Sequence, residues 1–171
     1  MRLKLKDIVI LALLSALMCV GDFIIDWIPN VHLVGVLIVV TTIVYRKYAL
    51  LPIYVYIFIQ GAVGGVGPWW ISYLYVWPIL WAAIMLIPKK LPEKTKYILY
   101  IIACALHGFL FGVLYAPAQA IIFGLDFKGM LAWIAAGFYF DAIHGLGNLV
   151  LGVFLIYPMV KVLKQTNKYA K

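Results

Sequence analysis

Asp141, His144 and Asn148 stand inside an otherwise apolar run, Phe140-Asp141-Ala142-Ile143-His144-Gly145-Leu146-Gly147-Asn148. A carboxylate, an imidazole and a carboxamide at i, i+3 and i+7 share one face if the segment is a helix. Such a set can donate and accept hydrogen bonds to a ligand, or exchange a proton. In hydrocarbon the stripe is costly unless it meets partners, water or a ligand. Plainer uses fit the same residues. Asp141 suits the first turn of a helix, where a carboxylate caps free N–H groups, and a lone histidine or asparagine suits a bond between helices.

Composition supplies the hydrocarbon. Of 171 residues, 67% are hydrophobic and 12% charged, and the mean hydropathy is +1.07. A soluble domain of this size cannot hide that much apolar surface. The apolar runs are long and do not alternate, which favours spanning helices over a barrel. The expected fold class is therefore an all-α integral membrane protein, a single membrane domain over 1–171 with no linker, internal repeat or low-complexity tract. The run after Arg2, Lys4 and Lys6 has no small-residue cleavage site and reads as the first membrane helix. Cys19 and Cys104 fall in apolar runs and read as small core residues.

Charge sets the expected topology. Of the 14 basic residues, all but Lys128 fall in four places: the N-terminus, Arg46-Lys47, the stretch from Lys89 to Lys96, and the tail from Lys161 to Lys171. The positive-inside rule makes all four cytoplasmic. The runs between them must then cross in pairs, giving a bundle of six transmembrane helices with both termini cytoplasmic, at roughly 7–26, 33–45, 48–64, 70–88, 97–117 and 137–161. The net charge of +8 marks the cytoplasmic face and makes no case for nucleic acid.

About twenty residues, or ~30 Å of helix, outward from Lys161 lead to Asp141 at the outer surface, with His144 and Asn148 one and two turns deeper. Other candidates converge on that level. Trp69 and Trp70 follow the segment Gly61 to Pro68, too glycine-rich to stay helical, and they fit an interfacial aromatic belt as well as a binding role. Tyr73, Trp77 and Trp81 descend at i, i+4 spacing past Pro78, facing either neighbouring helices and lipid or a ligand ring. His107 lies near mid-membrane, with Gly108 and Gly112 forming a small-xxx-small face. Asp26 and His32 flank the first outer loop and complete the candidate set.

The chain resembles the membrane-embedded substrate-binding S components of energy-coupling-factor (ECF) vitamin transporters. The likeness covers the whole chain: its length, six helices, cytoplasmic termini, and a first helix carrying Ala12-Leu13-Leu14-Ser15-Ala16. In that family an A-x-x-x-A pattern contacts the transmembrane coupling subunit, so the resemblance assigns Ala12 and Ala16 to partner docking. Two small residues one turn apart let a foreign helix pack closely. The family binds its ligand at the outer side through helices four to six and the loops after helices one, three and five. Thiamine-specific members carry a His and a Gly in helix five, to which His107 is similar, and an Asn near the start of helix six, as Asn148 is here. They place a cation-pairing glutamate where this chain has Ser72, which argues against thiamine.

The resemblance implies a high-affinity capture subunit of an ABC-type importer in the prokaryotic cell membrane. It would work with a coupling subunit and two ATPase subunits, which use the ATP. The chain itself has no phosphate-binding G-x-x-x-x-G-K-[ST] loop, and no catalysis or cofactor is expected of it. Aromatic walls and an acidic mouth favour a small, aromatic, neutral or amine-bearing vitamin, precursor or nucleobase-like compound. The alternatives are an intramembrane enzyme using an Asp141/His144 acid–base pair, and a stand-alone secondary transporter. Three histidines scattered over three segments do not suggest a metal site.

Overall fold

The computed structural model describes residues 3–25 and 29–168, without the side chains of 25, 167 and 168. The described residues are helical throughout, with no strand: α1 (Leu5–Ile25), α2 (Val34–Tyr45), a 3-10 turn (Arg46–Ala49), α3 (Leu50–Gly64), α4 (Pro68–Leu86), α5 (Glu93–Phe109), α6 (Phe111–Phe123) and α7 (Phe127–Lys168). Five stretches are long and apolar enough to cross a membrane: Leu5–Ile24, Val34–Gly64, Pro68–Leu86, Glu93–Phe123 and Phe127–Thr166. Large apolar side chains such as Leu13, Phe58, Leu86 and Phe154 point outward. An apolar exterior of this kind is compatible with a multi-pass membrane protein.

At the centre stands α2, apolar all round, with ten of its twelve residues buried. Its two threonines, which would otherwise bury unpaired hydroxyls, donate back to the helix: Thr41 to the Leu37 carbonyl at 2.7 Å and Thr42 to that of Ile38 at 2.6 Å. Around α2 pack α7, α4, α1 and α5. The longest interface joins α5 to α7 in antiparallel register, from the Glu93–Lys164 ion pair through Tyr97–Tyr157 to Cys104–Asn148. Glycines let these helices close up. A Cβ on Gly108 would come within 2.8 Å of the Gly145 Cα, and one on Gly145 would overlap the Phe109 ring.

One end of the bundle gathers basic segments. Arg46 Nη2 donates to the Met85 carbonyl at 3.2 Å, Lys164 pairs with Glu93 at 3.9 Å, and Lys6 Nζ donates to the Thr166 carbonyl. The basic turn after α2, the α4–α5 connection and the described ends of the chain thus lie together.

Three expectations need correction. The predicted helix over 97–117 is two helices, α5 and α6, broken at Leu110 (φ −100°, ψ 5°). The helix predicted over 137–161 starts ten residues earlier, at Phe127, and runs for 42 residues. At 1.5 Å per residue it is about 63 Å long, well beyond a ~30 Å hydrocarbon core. Its start is fixed by chemistry: Gly124 (φ 65°) ends α6 in the left-handed region, and Asp126 Oδ1 accepts the Gly129 N–H at 2.7 Å as an N-cap. The glycine-rich segment stays helical through Gly64 and leaves only at Gly65 (φ 82°), because Trp69 and Trp70 lay their rings over Gly64 and Gly61.

Candidate functional site

α4 passes through Pro78 without interruption, although proline supplies no N–H to the Leu74 carbonyl. Tyr54 of α3 donates its hydroxyl to that carbonyl at 3.4 Å. The continuous helix then carries Tyr73 and Trp77 on one face. Trp77, 1% exposed, is the hub of a ring cluster, 5.6 Å from His107, 5.7 Å from His32 and 5.4 Å from Phe111 between centroids. His144 closes the cluster from α7, 4.5 Å from the His32 ring and 4.9 Å from Phe111. Five separate segments therefore meet: the loop before α2, α4, α5, α6 and α7.

Hydrogen-bond partners decide which atoms are donors. The His107 Nε2 lies 2.9 Å from the Val76 carbonyl, which can only accept, so Nε2 carries the proton and Nδ1 presents a lone pair. Asn148 Nδ2 donates to the Cys104 carbonyl at 3.2 Å, leaving Oδ1 as an acceptor. Gly35 and Gly108 make room for that carboxamide, each lacking a Cβ that would press on it. Among the described residues, five polar atoms here are buried without a hydrogen-bond partner: His32 Nδ1, Trp77 Nε1, His107 Nδ1, His144 Nε2 and Asn148 Oδ1. A buried unpaired group costs about 1–3 kcal/mol, so a cluster of five is an expensive arrangement for packing alone. Burial pushes His32, which precedes α2, down to about 4, so its ring is neutral near pH 7.

Phe111 separates this cluster from the surface. It stands at the first position of α6, just past the break at Leu110, and its other side lines a pocket of about 290 Å³ with Tyr73, Tyr115, Trp133, Phe140 and Asp141. Tyr115 and Trp133 stack at 5.9 Å with ring planes 8° apart. Asp141 contacts the start of α6. It lies well inside α7 and does not cap that helix; both its oxygens accept the Gly112 N–H at 3.0 Å, capping the N-terminus of α6 across the interface. Gly112 is required there, since a Cβ would overlap Asp141 Oδ2.

The stripe Asp141, His144 and Asn148 thus occupies one face of α7, turned toward α5 and α6. His107, Trp77, Tyr73 and His32 join it. Trp69 reaches it through Tyr73, at 5.3 Å between rings. Trp70 does not: its Nε1 donates to the Ile57 carbonyl at 2.8 Å and its ring packs on Phe58, tying α3 to α4. Asp26 lies outside the described residues. Asp22 instead holds the Tyr56 hydroxyl at 2.9 Å and the Gln60 amide, and Tyr56 touches Trp77.

No family model matches the chain, and none of the curated proteins or solved structures does.

The three histidines, remote in sequence, are neighbours in space. Among the described residues, however, no group of three or more His, Cys, Asp or Glu is placed to hold a metal ion. Ala12 and Ala16 are exposed and line an apolar groove of about 450 Å³ between α1 and α3, with Pro52 and Val55 opposite. Phe111 lies inside the helix expected over 97–117 without a role of its own, and Trp133 falls between the helices expected over 97–117 and 137–161. The N-cap at Asp126, directly after Gly124, was the signal that would have brought Trp133 into α7.

Proposed function

We propose that this chain is a substrate-capture subunit of an ECF-type importer, a bundle that crosses the prokaryotic cell membrane six times with both termini cytoplasmic. It binds its ligand where Trp77, His107, His144 and Asn148 meet, beneath the pocket closed by Phe111. The observation that carries this reading is the set of five buried, unpartnered polar atoms ringed by aromatic faces. A ligand supplying a donor edge to His107 Nδ1 and Asn148 Oδ1, an acceptor to the Trp77 N–H, and a flat ring to stack would satisfy three of the five together. With no cation among the described residues of the ring cluster and the Asp141 oxygens engaged by Gly112, a neutral heteroaromatic vitamin, precursor or nucleobase-like compound suits the walls better than a charged one. The gathering of basic segments at one end supports the six-crossing topology, and the open groove at Ala12 and Ala16 supports docking on a coupling subunit, with ATP used by two partner ATPases.

The acid–base alternative has less support, because the Asp141 carboxylate is turned to Gly112 and the ring neighbours of His144 are His32 and Phe111. Native mass spectrometry of the purified chain against a panel of neutral heteroaromatic vitamins and nucleobases tests the proposal. One compound should bind, and His144→Ala and Asn148→Ala should each weaken it about tenfold or more. A binder whose affinity neither change alters would remove the site.

A further inference from the structure

The basic end holds a second pocket, of about 300 Å³, lined by Arg46, Lys47 and Lys89 with Tyr48 and Met85; among the described residues, none that line it is acidic. The arginine at its rim is held in an unusual backbone state. Arg46 has φ 53° and ψ −120°, a conformation natural to glycine and strained for any residue with a Cβ. Two bonds from α4 fix it there: Trp81 Nε1 donates to the Arg46 carbonyl at 3.0 Å, and Arg46 Nη2 donates to the Met85 carbonyl at 3.2 Å. The second bond sits on the C-terminal turn of α4 and occupies one of five guanidinium N–H groups. Lys47 Nζ lies over the Tyr48 ring at 5.2 Å, and the residue is exposed. Glycine would meet the backbone requirement at Arg46 more cheaply. An arginine kept in spite of strain, beside two lysines and with no neighbouring carboxylate on the pocket wall, points to an anion.

We propose that this pocket binds the phosphate of an anionic phospholipid headgroup. Its position selects the source: the pocket lies at the ends of α2 and α4, at the level of the bundle's other basic residues, which is where headgroups lie along a membrane protein. Arg46 and Lys47 come to the pocket lining from the turn after α2, and Lys89 from the connection after α4. A bound phosphate therefore ties those segments together and anchors this end of the bundle in one leaflet.

The test uses the full chain in nanodiscs and native mass spectrometry, with phosphatidylglycerol against phosphatidylcholine. Arg46→Gly keeps the backbone conformation and removes the charge. The expected result is selective retention of phosphatidylglycerol by the wild type, about fivefold weaker for each charge removed in Arg46→Gly, Lys47→Ala and Lys89→Ala. Lys90→Ala serves as the control and should leave retention unchanged. Arg46→Gly should melt no lower than wild type in phosphatidylcholine, which separates lost binding from lost fold. Equal retention of the two lipids, or full retention by Arg46→Gly, would overturn the assignment. Displacement of the lipid by millimolar inorganic phosphate would overturn it as well, by making the site one for the free ion.

Discussion

The bond between Asp141 and Gly112 gives a prediction whose sign depends on background. A Cβ at position 112 overlaps Asp141 Oδ2, so Gly112→Ala must push the carboxylate off the first turn of α6. A hydrogen bond to a charged group contributes about 1.5–3 kcal/mol. Alanine returns about 0.5–1 kcal/mol by restricting the unfolded chain and favouring helix. The net expectation for Gly112→Ala is a loss of about 1–2 kcal/mol. In an Asp141→Ala background nothing remains for the Cβ to strike, and the same change should stabilise by about 0.5–1 kcal/mol. Reversible unfolding of the four proteins in mixed micelles, read by circular dichroism, measures this double-mutant cycle. A Gly112→Ala effect equal in both backgrounds, to within about 0.5 kcal/mol, would show that the contact does not cap α6 and would refute the reasoning.

Tyr54→Phe removes the donor to the Leu74 carbonyl and should cost about 1 kcal/mol, yet be close to neutral beside Pro78→Ala, where the backbone N–H returns; micelle unfolding of the pair reads this out. Asp126→Ala should fray the start of α7, costing about 0.5–2 kcal/mol, seen as faster amide exchange over residues 127–131 with the ring cluster still protected. Ala12→Trp would fill the groove between α1 and α3; on the proposed function, co-purification with a coupling subunit should fail while ligand binding stays intact, and unchanged complex formation would move docking elsewhere.

How much of this was legible beforehand depends on whether the cause is local. Helical character and the start and end of α2 follow from hydropathy and from the basic turn at Arg46, within a residue or so of 33–45. The shared face of Asp141, His144 and Asn148 follows from spacing alone, because helical periodicity is a local property. The break at Leu110 was not legible: no proline or glycine stands at that position, and the new helix start is stabilised by a carboxylate 29 residues away. The same holds for the bond from Gly112 to Asp141, a residue placed by spacing in the candidate binding set or, equally, as a cap for its own helix; its contact with α6 is a tertiary fact. Trp69 and Trp70 looked equivalent side by side, yet successive residues on a helix point about 100° apart, and only Trp69 turns toward Tyr73. That three scattered histidines would touch one tryptophan-centred cluster is a tertiary fact with no sequence signal.

The central claim is that the unpartnered atoms around Trp77 are the ligand site, and the nitrogen-15 resonances of the histidine rings test it most directly. With the tightest binder of the panel added to saturation, the account predicts large shifts at His107 Nδ1 and His144 Nε2 and little change at His107 Nε2, which keeps its bond to Val76. Saturated binding that leaves all three ring nitrogens where they were would contradict it.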